Sequence, residues 1–435
     1  MKPFYIRDPI HGFVELDEWE REIINHPVFQ RLRRIRQLAW TDMVYPGASH
    51  TRFEHSIGVM HVVTRMFKNI CLKSGENLEK KLSYTDGGLQ RVLALVRICS
   101  LLHDIGHGPF SHAAEELMPM SEASGKPYEH EAYSAEAVTL MEDVINHPIN
   151  KKNHGLTVQD IKDFLSGEVS DEGSLLWRRL LSSQLDADRA DYLLRDSHHI
   201  GVAYGRYDLD RLVSTLAVAI DPETDAPVLA VEEGGWHAYE GFILARYMMF
   251  TQVYFHKTRR VYDLHFSEVM KTLLREAPRL EGQAEDQFPP PTRAESLKAY
   301  LQWTDWRVLG LLQEGKGGDH GAIIRDRKHF KKVYETQEVP DKAELEFADE
   351  VCGHLEDKAG FVDKAEKSWY KFQDQDIPVL QGTKGPKEYL TPLSKLSSVV
   401  RGLKSVNQIR IYVSEENRKE AENMIQSLRQ SRKGA

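Results

Sequence analysis

A histidine and an aspartate stand side by side where an apolar segment of the chain ends, at His103 and Asp104. Residues 92–102 carry apolar side chains at helical spacing, which predicts a core helix, and Gly106 and Gly108 then stop it. Burying an imidazole beside a carboxylate costs free energy unless something pairs with them. A divalent metal ion takes neutral imidazole nitrogen and carboxylate oxygen together, so the pair predicts a metal site.

A second pair, His112 and Glu115, lies three residues apart at a predicted helix start. That spacing puts both side chains on one helix face, where the carboxylate can orient and charge-stabilise the imidazole. Such a pair suits general acid–base catalysis near neutral pH. The same spacing also suits an ion pair on a helix surface, and spacing alone leaves both interpretations open.

Asp188, Tyr192 and Asp196 are spaced by four residues, so one face of a helix carries all three. The Asp-x-Asp-x-x-Asp pattern at residues 186–191 is also compatible with a calcium-binding loop, but the glycine and the terminal glutamate of such a loop are absent. The helical interpretation therefore stands.

Arginines are concentrated near the N-terminus, although the chain as a whole is acidic. Its 57 Lys and Arg residues stand against 66 Asp and Glu, a formal net charge of −9, so nucleic acid is not an expected partner. Arg31, Arg33, Arg34 and Arg36 put four positive charges within two helical turns. Either an anionic nucleotide or ion pairs with acidic side chains must compensate them.

Most segments before residue 275 have helical periodicity, and the polar, proline-rich stretch 282–291 is the best candidate boundary. We therefore predict a mainly α fold with a catalytic core at 1–282 and a C-terminal helical and α+β region at 283–435. The elements predicted beside the core helix are an apolar helix face along 23–38, a strand at 227–231, a helix at 301–312, a loop at 315–318, a strand at 408–413 and a helix at about 415–429.

The remaining composition argues against several classes of protein. The three cysteines show no metal-finger spacing and fit a reducing compartment. The N-terminus lacks a signal-peptide apolar region, and no run approaches the ~20 apolar residues that span a bilayer. We expect a cytoplasmic protein without a membrane partner.

With His55 upstream and Asp188 downstream of the His103–Asp104 pair, the order of residues resembles the signature of the HD metal-dependent phosphohydrolases. Within that superfamily, the chain resembles the deoxynucleoside triphosphate triphosphohydrolases, a resemblance that implies an HD-domain helical core. The stretches that carry it are 8–12, 30–38, 46–50, 52–56, 103–112, 186–196 and 254–257.

The resemblance implies that His55, His103, Asp104 and Asp188 hold a divalent metal. Their mixed nitrogen and oxygen donors suit a transition metal, either Fe, Mn, Co or Zn, and a separate Mg²⁺ would accompany the substrate phosphates.

The resemblance also assigns roles to the other residues. His112 and Glu115 would serve the attack at the α-phosphorus and the protonation of the leaving oxygen, with His107 and His130 facing the phosphates. Arg52 and Arg189 would contact phosphate. Gln37 and Leu38 would crowd the 2′ and 3′ positions of the sugar, which Tyr192 and Asp196 would contact. Arg246, Tyr254 and Lys257 would lie near the substrate or a neighbouring nucleotide.

The implied activity is hydrolysis of a deoxynucleoside triphosphate (dNTP) to deoxynucleoside and triphosphate, in a homodimer or homotetramer. Gln30 and Arg33 match the family's effector site, whereas Asn25 replaces a guanine-reading aspartate, so a nucleotide effector with altered base choice is expected. The alternatives are another HD phosphohydrolase activity, as a nucleotidase or a single-strand nuclease, and a catalytically silent nucleotide sensor.

Overall fold

The computed structural model describes residues 3–280, 283–355, 360–368, 370, 376–382 and 389–434. The fold is mainly α, as predicted. The helices are, in chain order, α1 (Glu18–Asn25), α2 (Pro27–Gln30), α3 (Arg52–Leu82), α4 (Asp86–Leu102), α5 (His130–Ala137), α6 (Glu142–Ile145), α7 (Pro148–Asn153), α8 (Val158–Ser166), α9 (Glu172–Arg178), α10 (Ala187–Ile200), α11 (Leu209–Ser214), α12 (Trp236–Met249), α13 (Lys257–Glu276), α14 (Ala294–Leu301), α15 (Asp305–Gln313), α16 (Gly318–Arg325), α17 (Lys342–Leu355), α18 (Leu393–Leu396), α19 (Ser398–Gly402) and α20 (Arg418–Gly434).

Small sheets accompany the helices, most of them toward the C-terminus. The strands are β1 (Phe4–Asp8), β2 (Gly12–Leu16), β3 (Leu216–Ile220), β4 (Pro227–Glu232), β5 (Lys331–Glu335), β6 (Phe361–Lys367), β7 (Pro378–Gln381), β8 (Tyr389–Pro392) and β9 (Val406–Val413). They form an antiparallel β1–β2 hairpin, a sheet of order β3-β4-β7-β8 and a sheet of order β5-β9-β6. The small α+β appendage predicted from the sequence is present.

Helices α3, α4 and α10 form the frame of the site. Thr51 and Glu54 make a reciprocal capping box at the start of α3, which fixes where this 31-residue helix begins. Helix α10 packs so closely on α3 that a Cβ at Gly58 would stand 2.0 Å from an Asp191 carboxylate oxygen. Glycine at this position therefore permits the approach that joins the two helices.

The predicted core helix and the strand at 227–231 are confirmed as parts of α4 and β4, and the strand and helix near the C-terminus as parts of β9 and α20. The helix predicted at 301–312 is present as α15, but it begins four residues later, and Leu301 belongs to α14. The chain breaks between α14 and α15, because the Thr304 side chain accepts the backbone N–H of Arg307 and caps a new helix. The loop predicted at 315–318 ends one residue early, since α16 begins at Gly318.

The continuous helix face predicted along 23–38 is also interrupted. Pro27 begins a separate short helix, and residues 31–34 form a 3₁₀ turn. In consequence Arg31, which the sequence pattern places with the outward arginines, points inward and is 2% exposed. Its guanidinium donates to backbone carbonyls of His107 at 2.8 Å and of Leu301 and Trp303 at 2.7 Å.

Arg31 therefore joins the loop after α4 to the segment between α14 and α15. We expect Arg31→Met to lower the free energy of unfolding by about 3 kcal/mol or more, because several buried carbonyls lose a charged donor. Urea denaturation measures the loss, and Arg34→Met at the exposed neighbouring position is the matched control. Equal stability of the two variants would contradict this role.

The predicted boundary falls on Gly282, which with Glu281 lies outside the described residues. The largest apolar cluster contains side chains from both sides of it, including Phe288, Tyr300 and Val379. The division at 282 stays a prediction. Within the described ranges, no helix combines the length and apolar character needed to cross a bilayer.

Candidate active site

Four side chains from three helical segments meet beside a cavity, which three of them, His103, Asp104 and Asp188, line. His55 Nε2 lies 3.0 Å from an Asp188 carboxylate oxygen and 3.7 Å from one of Asp104. His103 Nε2 lies 3.3 Å from Asp104 and 3.8 Å from Asp188. The structure thus brings together the two nitrogen and two oxygen donors that the sequence assigned to one metal.

The hydrogen bonds of His103 show that its inner nitrogen is available to a metal. Its Nδ1 lies 2.8 Å from the Ser100 carbonyl, which can only accept, so Nδ1 carries the proton. The other nitrogen, Nε2, is buried and has no hydrogen-bond partner among the described residues. A buried lone pair without a donor is costly, and a cation would satisfy it.

His55 is oriented in the same way by a carboxylate behind it. Its Nδ1 lies 2.7 Å from Asp191, whose other oxygen lies 2.6 Å from His11 Nε2. Burial would lower the pKa of His55, but the hydrogen bonds with Asp188 and Asp191 outweigh burial and raise the pKa to about 10. Proton and metal therefore compete for Nε2, and a bound cation requires the neutral ring.

Asp191 is a positioning residue in this geometry. We expect Asp191→Asn to weaken metal affinity about 10–100-fold, because the amide no longer fixes the tautomer and orientation of His55. Competition with a fluorescent chelator measures the affinity, and Asp210→Asn, at an exposed carboxylate, is the matched control.

Circular dichroism must show that the Asp191→Asn protein is folded, because this side chain is fully buried and also pairs with Arg195. If the protein does not fold, His11→Gln tests the same chain of contacts from its outer end. A folded variant with unchanged metal affinity would refute the positioning role.

The predicted pair His112 and Glu115 lies in a 3₁₀ helix (Ser111–Leu117), in which residues three apart fall on one line. Glu115 Oε1 lies 2.9 Å from His112 Nδ1 and 2.7 Å from His130 Nδ1, so one carboxylate holds two imidazoles. Burial would raise the pKa of Glu115, but interaction with His112 and His130 outweighs burial and holds the pKa well below its ordinary value. Burial would lower the pKa of His130, but the hydrogen bond between His130 and Glu115 outweighs burial and raises the pKa.

The turn that aims His112 is strained. Phe110 and Ser111 have φ of 55° and 56°, a left-handed conformation that costs free energy for residues other than glycine. Asp305 holds the turn from the other side by accepting the Phe110 and Arg36 backbone N–H groups. Burial raises the pKa of Asp305 to about 6.

Arg52 connects the metal site to this turn. Its guanidinium donates to Asp104 at 2.5 Å and to the Ser111 hydroxyl at 2.7 Å. His107, 1% exposed, stacks on His130 with ring centroids 3.6 Å apart. Burial lowers the pKa of His107, and the positive charge of Arg52 lowers it further, so this ring is neutral at pH 7.

One cavity of about 630 Å³, a size typical of small-molecule sites, is lined by His103, Asp104, Asp188, His107, His112 and His130. Its wall carries both signs of charge, because eight acidic side chains stand among seven cationic ones. The cationic side chains are Arg52, Arg178, Arg189, Arg246, Arg259, Arg260 and Lys367.

Further predicted residues form the wall beyond the metal ligands, including Gln37, Leu38 and Tyr192. Asp196 accepts the hydroxyl of Tyr254 at 2.6 Å, and its other oxygen lies 2.8 Å from His50 Nε2. Asp196 is therefore held rigidly by two side chains from other segments.

Some predicted residues lie elsewhere. Lys257 is not among the residues that line the cavity, and its backbone carbonyl accepts the Tyr412 hydroxyl. Asn25, Gln30 and Arg33 lie outside the cavity, and Gln30 accepts Arg33 Nε at 2.9 Å. Their assignments as substrate and effector contacts stay predictions.

Sequence reasoning missed the residues that support the site from behind. His11 and His50 stand in stretches that carried the family resemblance, and Asp191 is three residues from Asp188 on one helix, yet none was given a role. Helical spacing was the available signal for Asp191. For Lys367, which reaches the cavity from β6, no local signal existed.

Comparison with known proteins agrees with this geometry. The sequence pattern of the HD domain matches residues 52–196, a range that contains all four candidate metal ligands. The pattern called HD associated region matches residues 207–285, which contain the cavity residues Arg246, Phe250, Tyr254, Arg259 and Arg260.

Relatives and solved structures of similar sequence exist. The uncharacterized Bacillus subtilis protein YwfO is 33% identical over 265 residues, covering 61% of this chain and 54% of that protein. The chicken deoxynucleoside triphosphate triphosphohydrolase SAMHD1 is 29% identical over 376 residues, covering 79% of this chain and 57% of that protein. A crystal structure of a phosphohydrolase from Bacteroides thetaiotaomicron superposes with a TM-score of 0.71 at 25% identity, covering 95% of this chain and 100% of that one. The chain spans about half the length of these two curated relatives.

Proposed function

The chain belongs to the HD-domain phosphohydrolases, and we propose that it hydrolyses dNTPs to deoxynucleoside and inorganic triphosphate. The observation that carries the proposal is the shared cavity, which His103, Asp104 and Asp188 line together with His112 and His130. A metal held there would lie beside the His112–Glu115 pair and the cationic side chains of the cavity, a combination that suits phosphoryl transfer.

A divalent transition metal held by His55, His103, Asp104 and Asp188 would polarise a phosphate oxygen and acidify the attacking water. Arg52 and Arg189 would hold the phosphates. Gln37 and Leu38 would crowd the sugar 2′ and 3′ positions, so that a ribose 2′-hydroxyl is excluded.

His112 would act as the proton donor in this proposal. Because Glu115 holds its Nδ1, the ring presents Nε2 to the cavity. One water is consumed, its oxygen joins the α-phosphorus, and the bond from phosphorus to the 5′-oxygen breaks. His112 protonates that leaving oxygen, and the proton lost by the water recharges the ring.

A regulatory site at Asn25, Gln30 and Arg33 extends the proposal. Arg33 is exposed and lies over the Phe53 ring at 3.5 Å, and no carboxylate of the described residues pairs with it. By contrast, Arg36 pairs with Asp42 at 2.7 Å, so ion pairs compensate only part of the arginine cluster. We propose that a nucleotide effector of altered base choice binds there. We also propose a homodimer or homotetramer, Mg²⁺ bound to the substrate and a cytoplasmic location.

Incubating the metal-loaded protein with dNTPs, NTPs, nucleoside monophosphates and single-stranded oligonucleotides tests the proposal. Release of triphosphate and deoxynucleoside from dNTPs alone is the expected result. Turnover of monophosphates or oligonucleotides alone would establish a nucleotidase or nuclease instead, and nucleotide binding without any turnover would establish a sensor.

A further inference from the structure

The end of strand β6, which lies outside both matched family regions, forms part of the cavity wall. Its side chains alternate, with Asp363 and Ala365 buried, Lys364 exposed, and Lys367 half-buried on the inward face. Lys367 lines the cavity together with its neighbour Glu366, whereas Lys364 is not among the lining residues.

Two contacts fix this strand against the helical core. Arg260 of α13 donates through Nε to the Asp363 carboxylate at 3.0 Å, and Asp363 is 1% exposed. Ala365 belongs to a small apolar cluster with Phe255, against which Phe250 packs. The position of Lys367 is therefore built by the fold.

Lys367 lies at the end of the cavity away from the metal ligands. Its Nζ is 5.1 Å from the centroid of the Phe250 ring, and that ring lies 4.8 Å from Tyr254. Tyr254 in turn lies 6.2 Å from Tyr192, which is one helical turn beyond Asp188. The order from the metal outward is Asp188, Tyr192, Tyr254, Phe250 and Lys367.

We infer that Phe250 and Lys367 form the base subsite of this cavity and that Lys367 determines base preference. The inference rests on the proposed function, because a triphosphate at the metal and a sugar at Tyr254 direct the base toward Phe250. Phe250 offers an aromatic ring for base stacking, and Arg246 and Lys367 lie 5.7 and 5.1 Å from its centroid. Its π-helical segment (Phe250–Tyr254) places Phe250 and Tyr254 in contact, and such segments are frequent at functional sites.

Lys367 supplies the selectivity because an ammonium group donates hydrogen bonds and accepts none. Guanine and thymine present a carbonyl oxygen at the edge where adenine and cytosine present an amino group. Lys367 therefore favours dGTP and dTTP over dATP and dCTP.

Comparison of Lys367→Met with Lys364→Met, in the full-length metal-loaded protein, tests the inference. We expect the wild-type kcat/KM for dGTP and dTTP to exceed that for dATP and dCTP by roughly tenfold or more, as one charged hydrogen bond provides. Lys367→Met removes that preference with metal content unchanged, and Lys364→Met keeps it. Equal losses for all four nucleotides, or none, would overturn the inference.

Equilibrium binding separates this inference from the proposed function. Calorimetric Kd values for the four dNTPs are measured in His112→Ala protein with and without Lys367→Met. Absence of hydrolysis in wild type refutes the proposed function alone. A base-dependent Kd that Lys367→Met makes uniform supports the subsite, and a pattern of Kd values unaltered by Lys367→Met refutes it.

Discussion

Replacing His103 or Asp104 by alanine is expected to abolish turnover and to remove the bound metal together, while the helical fold persists. The two residues supply adjacent ligands, and the buried Nε2 of His103 has no partner among the described residues to replace a cation. The loss should exceed the roughly 10–100-fold typical of changes behind a ligand. Metal analysis, activity and circular dichroism on the same preparations measure all three effects.

His198→Ala is the matched control for these variants, because this exposed histidine lies on α10, the helix that carries Asp188. It should keep metal and activity. Wild-type turnover in a metal-depleted His103→Ala protein would refute the metal site.

His112→Ala, unlike the ligand variants, is expected to keep its full metal content and to lower the rate about 10²–10⁴-fold. His112 contacts Glu115 and lies outside the set His55, His103, Asp104 and Asp188, so its loss removes proton transfer and leaves that metal site intact. Metal analysis and single-turnover kinetics measure the two effects.

The double variant His112→Ala/Glu115→Ala distinguishes a catalytic pair from two independent residues. If the carboxylate acts through the imidazole, the double variant is little slower than His112→Ala alone. Additive losses would contradict the pairing, as would a large loss of metal from His112→Ala.

Prediction from the sequence was most accurate where polar residues suited to a site also follow helical periodicity. The apolar period of residues 92–102 placed His103 and Asp104 at the end of a core helix, and the four-residue spacing placed Asp188, Tyr192 and Asp196 on α10. These inferences need only the local chain and the chemistry of the side chains.

Prediction failed where tertiary contacts overrule local pattern. Arg31 has the sequence neighbourhood of an exposed cation, yet it is buried because carbonyls about 75 and 270 residues away need a donor. Lys367 lines the cavity from a strand that Asp363 joins to Arg260 of α13. The spacing of residues in the neighbouring sequence indicates neither contact.

The products formed in water enriched in oxygen-18 test the central claim most directly. If the metal site and His112 act at the α-phosphorus, a dNTP yields unlabelled deoxynucleoside and triphosphate that carries one labelled oxygen. Mass spectrometry of both products decides the question. Deoxynucleoside monophosphate with pyrophosphate, or label in the deoxynucleoside, would contradict the account.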